Sequence, residues 1–94
     1  MSFKNTCKDA LLTFGAERQI KKCVEELTEL CVALLHNENG KDTVDHVAEE
    51  IADVEIMLQQ MILLFDCQDR VDKYRTKKLE SLALKVKANR AEEN

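Results

Sequence analysis

The chain has 94 residues, no proline, two glycines, four aromatic residues and a formal net charge of −4. That is one domain, residues 1–94, and a small one. A chain of this size buries only roughly 60–65% of its unfolded surface, so association is a common way to complete the core. The acidic balance argues against a nucleic-acid coat, no apolar run approaches the length of a membrane span, and the abundance of Leu, Glu, Lys, Ala and Val points to an all-α fold.

A first short helix is predicted over residues 3–13, capped by Ser2 and ended near Gly15. In the next segment Ile20, Cys23, Val24, Leu27, Leu30, Cys31 and Leu34 recur at three-and-four spacing, the period of an amphipathic helix. The stretch HNENGKD, residues 36–42, interrupts it with the turn dipeptide Asn39-Gly40, and Asp42 or Thr43 can cap the next helix. Val44, Val47, Ile51, Val54, Leu58, Met61, Ile62 and Phe65 then resume the helical period. Two helices of roughly five or six turns joined by so short a loop are expected to run antiparallel. A last helix is predicted from about Asp69 to about residue 89, carrying Val71, Tyr74, Leu79, Leu82 and Val86, with the tail AEEN fraying. It also holds Arg70, Lys73, Arg75, Lys77, Lys78, Lys85, Lys87 and Arg90, either a solvated face or an anion-binding strip. The expected architecture is an antiparallel helical hairpin with flanking helices, whose four-helix-bundle core is completed by oligomerisation as a homodimer or homotetramer.

Cys7, Cys23, Cys31 and Cys67 form neither a CxxC pair nor a zinc-finger spacing. With no signal peptide at the start, the expectation is a reduced, cytoplasmic protein whose thiols pack as small hydrophobes.

Two acidic blocks carry the chemistry. VEELTEL, residues 24–30, and AEEIADV, residues 48–54, each place acids on the edge of an apolar stripe. Glu29 and Glu50 are equidistant from the point between Asn39 and Gly40, and so are Glu26 and Asp53. Symmetric closure of the hairpin sets each pair face to face. Within each helix the two acids are three apart, on one face and about 4.5 Å apart along the axis. Four carboxylates in one groove repel one another and are forced back towards their protonated forms. A hard divalent cation resolves the conflict, since Mg²⁺ or Mn²⁺ takes oxygen ligands and bridges carboxylates to phosphates. The alternative is a solvated acidic face beside the core. A di-iron bundle would need a His three residues after a ligand Glu on two helices. Position 32 is Val and position 53 is Asp, and His36 and His46 fall near the loop as turn or surface residues.

EExxE and, after a spacer, EExxD, here Glu25-Glu26-Leu27-Thr28-Glu29 and Glu49-Glu50-Ile51-Ala52-Asp53, resembles the pattern of the all-α nucleotide pyrophosphohydrolases. The chain looks like a compact MazG-like protein of the type found in bacteria and their phages, over about residues 14–86. The resemblance implies Mg²⁺-dependent cleavage of a nucleoside triphosphate between the α and β phosphorus atoms, giving a monophosphate and pyrophosphate. It places metal ligands on Glu26, Glu29, Glu50 and Asp53, the four that the hairpin geometry also selects. Glu25 or Glu49 becomes a candidate to take a proton from the attacking water. Gln19 and Lys22, on the same face as Glu26, become candidates to contact sugar, base or phosphate. In the last helix the family's Lys-Leu-x-Arg-Leu-x-x-Arg pattern reads Lys78-Leu79-Glu80-Ser81-Leu82-Ala83-Leu84-Lys85, so Ser81 and Lys85 stand where arginines are usual. Lys78 and Lys85 remain possible pyrophosphate contacts, as point charges rather than forks. Three further readings stay open: a nucleotide-binding sensor or sponge without turnover, a plain helical interaction module, and a phosphoribosyl-ATP pyrophosphohydrolase, a branch that usually lacks the doubled Glu at positions 49 and 50.

Overall fold

The structure, a computed structural model, describes residues 1–93 as four helices and no strand: α1 (Phe3–Phe14), α2 (Ala16–Glu38), α3 (Val44–Leu64) and α4 (Gln68–Glu93). The starts and stops obey local chemistry. Ser2 has an extended backbone and its hydroxyl accepts the Asn5 N–H, so α1 begins with one of its orphan donors satisfied. Thr43 does the same for α3, accepting the His46 N–H at 3.1 Å, while the Asp42 carboxylate accepts the Thr43 N–H at 2.8 Å. Gly15 ends α1, donating its N–H to the Leu11 carbonyl, and directly precedes α2. Its φ of 89° and ψ of 156° lie in a region that side chains with a Cβ avoid.

The most extensive helix pair is α2 with α3; α1 lies across both, mainly on α3, and α4 touches only α3, sparsely. Gln19 meets Gln60 near the far ends of the pair, and Glu29 approaches Glu50 nearer the loop. Residues farther from that loop on α2 thus pair with residues farther from it on α3.

The buried seam differs from the stripe that the apolar period predicts. On α2 the buried positions are Gln19, Cys23, Glu26 and Ala33, and on α3 they are Glu50, Val54, Met57 and Gln60. Ile20, Val24, Leu27, Leu34, Ile51 and Leu58, all expected on the core face, are exposed in the single chain. Glu26 and Glu50 therefore lie in the contact between the two helices, while Glu25, Glu29 and Glu49 stay exposed at its edge; Cys23 and Val54 of the apolar stripe are buried and much of the rest faces outward. The physical reason is that each helix carries two usable faces about a third of a turn apart, and one chain can cover only one of them.

The last helix also departs from expectation. It runs through Glu93, so Ala91–Glu93 are helical rather than frayed, while Asn94 lies outside the described residues. No residue of α4 is buried, and Tyr74, Leu79, Leu82, Leu84 and Val86 are exposed. The radius of gyration is 17.0 Å, against about 12 Å for a compact domain of this length. All four cysteines are free thiols, and among the described residues no helix is long and apolar enough to cross a membrane. Burial pushes the thiol pKa of Cys7 and of Cys23 up, which keeps them protonated and unreactive.

The α1–α2 corner gives a clean test of backbone strain. A Cβ on Gly15 would meet nothing within 4 Å, so any cost of Gly15→Ala is conformational and not steric contact with a neighbour. The substitution should lower unfolding stability by about 1–3 kcal/mol, measured by urea denaturation with an unchanged m-value.

Candidate metal centre

Glu26 and Glu29 stand three residues apart on α2 and so share a face; Glu50 faces them from α3. One carboxylate oxygen from each of the three lies within 4.8 Å of the others. Glu26 and Glu50 are buried and Glu29 is exposed, so the cluster is a half-sunk cup opening to solvent on the Glu29 side.

Two cationic or protonatable groups brace this cup without closing it. Lys22 Nζ is 3.1 Å from Glu26 Oε1 and 3.8 Å from Glu25 Oε2. The hydrogen bond with Glu26 is the largest of several effects that hold the Lys22 ammonium above its usual pKa. On the other side His46 Nε2 is 3.2 Å from Glu50 Oε1, and its Nδ1 is 2.7 Å from the Asp42 carboxylate. A neutral imidazole has one N–H, so only the imidazolium can donate to both carboxylates. The hydrogen bond to Asp42 is the main cause that raises the His46 pKa, and the same bond holds Asp42 below the usual carboxylate value.

Each brace takes the Oε1 atom and leaves the other oxygen. Glu26 Oε2 and Glu50 Oε2 are buried with no hydrogen-bond partner. A buried, unpartnered carboxylate oxygen is costly, and a pair of them beside a third carboxylate more so. The negative charge of Glu26 is the leading cause that raises the Glu29 pKa, ahead of desolvation and of Glu50. Three hard oxygen donors with an open side could hold a metal ion, and their chemistry is compatible with a hard divalent cation such as Mg²⁺ or Mn²⁺. The residues present therefore fit such an ion, with Glu26, Glu29 and Glu50 as the ligand set.

The other sequence-derived candidates divide. Asp53 is half-buried on α3 and is not within this 4.8 Å group. Glu25 and Glu49, one residue from the cluster on each helix, are exposed. Gln19 and Lys22 line an open cavity of ≈ 590 Å³ at the junction of α1, α2 and α3, together with Phe14, Arg18, Glu25 and Gln60. Lys78 and Lys85 are exposed on α4 and do not line that cavity. Two participants escaped the sequence reading. His46 is exposed in the first turn of α3, as expected of a turn or surface residue, but its bracing of Glu50 was not foreseen; the signal was its position four residues before Glu50, one helical turn away. Gln60 pairs with Gln19, and only the register between helices reveals it.

Comparison of the chain with protein-family models, with curated proteins and with solved structures finds no match in any of the three.

Two outcomes test this centre. In metal-free protein Glu29→Gln removes a repelled charge and should raise the melting temperature; millimolar Mn²⁺ should raise that of the wild type, and this further rise should be absent in the variant. Stability should also depend on the Asp42–His46 latch. His46 has a folded pKa above its ordinary 6.5, so its contribution is complete below about 6.5 and is lost as pH rises through the raised value. Asp42 has a folded pKa below its ordinary 3.8, so its contribution is present above about 3.8 and is lost as pH falls through the lowered value. The stability gap between wild type and His46→Gln should be widest between these limits and close at higher pH, read from chemical denaturation across that range.

Proposed function

We propose that the protein is a Mg²⁺-dependent nucleoside triphosphate pyrophosphohydrolase of the MazG-like kind, with Mn²⁺ as a possible substitute, converting a (d)NTP and water to a (d)NMP and pyrophosphate. The observation that carries this reading is the convergence of Glu26, Glu29 and Glu50 from two helices with two buried oxygens left unpartnered. The EExxE and EExxD blocks supply those acids, and Asp53 completes the second block one turn further along α3.

Under this reading the bound ion supplies neutralisation of phosphate charge and a lowered pKa for the attacking water. The protein's own residues do the rest. Glu26, Glu29 and Glu50 hold the ion, with Asp53 available from the next turn. Lys22 spans the Glu26 carboxylate and the adjoining cavity, so its ammonium can bind a phosphate oxygen while remaining charged. Glu25 also lines the cavity, which makes it better placed than Glu49 to accept the proton released as water adds to the α-phosphorus. Pyrophosphate leaves with the electron pair of the broken P–O bond.

The same reading includes assembly in the cytoplasm. The uncovered stripe of Val24, Leu27, Leu34, Ile51 and Leu58, and the apolar positions of α4, are what a second copy of the hairpin would bury in a four-helix-bundle core, giving a homodimer or a dimer of dimers. Lys78 and Lys85 would then reach phosphate only if assembly brings α4 to a site. A second reading, a nucleotide sensor or sponge without turnover, draws on the absence of those two lysines from the cavity lining.

A panel of nucleoside triphosphates, phosphoribosyl-ATP included, incubated with Mg²⁺ and resolved by chromatography tests the reaction. Monophosphate and pyrophosphate are expected, and Glu50→Gln should lower kcat on the order of 100-fold. Orthophosphate as the product, or full turnover by Glu50→Gln with its helicity intact, overturns the assignment. Binding without products selects the sensor.

A further inference from the structure

The cavity beside the acidic cluster contains a polar pair, Gln19 and Gln60, whose mutual bond the hydrolytic reading leaves without a role. Gln19 and Gln60 are both buried, and Gln19 Nε2 donates to Gln60 Oε1 at 2.7 Å. The Gln60 amide nitrogen has, besides this, only the thioether of Met57 at 3.7 Å, a poor acceptor. Neither Gln19 Oε1 nor Gln60 Nε2 is therefore satisfied by a strong protein partner in the bonds this pair makes. Two amides joined by one bond leave an acceptor on one partner and a donor on the other, and both residues line the cavity.

The rest of the cavity suits a flat, electron-rich ring joined to phosphates. Phe14 and Arg18 both line it, with the guanidinium 5.1 Å from the ring centroid, which offers stacking surfaces of both kinds. Lys21 and Lys22 add positive charge, and Lys22 reaches the acidic cluster at Glu26. Gln19, Lys22 and Glu26 run along one face of α2 at three-and-four spacing, so the amides and the carboxylates are about 10 Å apart along the helix. A ribose and its phosphates can bridge that distance.

We propose that this cavity is a nucleobase site in which the Gln19–Gln60 pair reads the base edge, and that the pair accepts both members of each base class by reversing its polarity. This rests on the reading of the neighbouring cluster as a nucleotide site. The argument for reversal is stereochemical. Uracil and cytosine place their distinguishing groups at superimposable positions but with opposite sense: O4 accepts and N3–H donates in uracil, whereas N4–H₂ donates and N3 accepts in cytosine. Guanine and adenine differ in the same way at O6/N1 and N6/N1. Rotation of both amides by 180° exchanges oxygen for nitrogen at nearly the same coordinates. The internal bond survives, now from Gln60 to Gln19, and the remaining donor and acceptor change places. A lone amide would sacrifice its bond to the protein on turning; the pair turns together and keeps it. The site should therefore stack and orient a base yet discriminate weakly within pyrimidines and within purines.

The test joins side-chain NMR to kinetics. In ¹⁵N-labelled full-length protein with Mg²⁺, the side-chain amide resonances of Gln19 and Gln60 should shift on addition of dUMP and of dCMP, neither of which carries a β-phosphate to lose, and should not shift with pyrophosphate alone. Among triphosphates the kcat/KM values for dUTP and dCTP should lie within about tenfold of each other in the wild type. Gln60→Glu can only accept, fixes the polarity, and should open the ratio by about tenfold or more in one direction. Phe14→Ala, at an exposed position, should weaken dUMP and dCMP equally and leave their ratio alone. Shifts with both monophosphates but no turnover of any triphosphate would remove the hydrolase assignment and leave the base site standing. Turnover with unmoved glutamine resonances, shifts caused equally by pyrophosphate, or a wild-type preference well beyond tenfold would overturn the base site. If Gln60→Glu fails to fold, the wild-type titration and the wild-type ratio decide the matter.

Discussion

The molecule is organised around a repulsion. Glu26, Glu29 and Glu50 are drawn into one cup between α2 and α3, and two of their oxygens are sealed from water without a partner. Nothing in helix propensity or apolar burial asks for this, and like charges in a partly desolvated cup oppose folding. The braces on either side, Lys22 on Glu26 and His46 on Glu50, offset part of the cost and leave the second oxygen of each carboxylate without a partner. An arrangement that braces two of the three acids through one oxygen each and leaves the other oxygen of each unpartnered could hold a cation.

Placing polar groups in the seam has a consequence for the rest of the chain. Gln19, Glu26, Glu50 and Gln60 occupy positions that aliphatic side chains would fill in an ordinary helix pair, so Val24, Leu27, Leu34, Ile51 and Leu58 are turned outward. Among the described residues the buried apolar set is small: Cys7, Cys23, Ala33, Val54 and Met57. At roughly 25 cal/mol per Å² of apolar area, a core of such small side chains contributes little against the entropy of ordering 94 residues. The protruding α4, with its exposed Tyr74, Leu79, Leu82 and Val86, belongs to the same account. A site built in the seam and an apolar stripe left uncovered are two sides of one allocation of helix faces.

Periodicity along α2 also ties the cup to the neighbouring cavity. Positions 19, 22 and 26 share a face, so an amide, an ammonium and a carboxylate stand in a row, each with a different chemical preference. Lys22 belongs to both regions, bonded to Glu26 and lining the cavity. Because α2 is a rigid rod over this span, the spacing of the three is set by helix geometry and does not depend on loop conformation.

Much of this is legible in the residues alone. Ser2 and Thr43 announce helix starts because their hydroxyls replace missing backbone acceptors, and Gly15 marks the α1–α2 corner because only glycine tolerates that φ and ψ comfortably. The approach of Glu29 to Glu50 comes from equal distances to the turn. What the residue string left undecided was which of two faces a helix would bury. Apolar count favoured the Leu and Val stripe, while the chain buries the narrower face of Gln19, Cys23, Glu26 and Ala33. The roles of His46 and Gln60 likewise depend on rotation about helix axes and on register between helices, as does the separation of Asp53 from the three-acid group. Local rules settle where a helix begins, ends and repeats, because those depend on neighbours within one turn. The facing of one helix on another is a balance over the whole contact, and only the assembled tertiary structure resolves it.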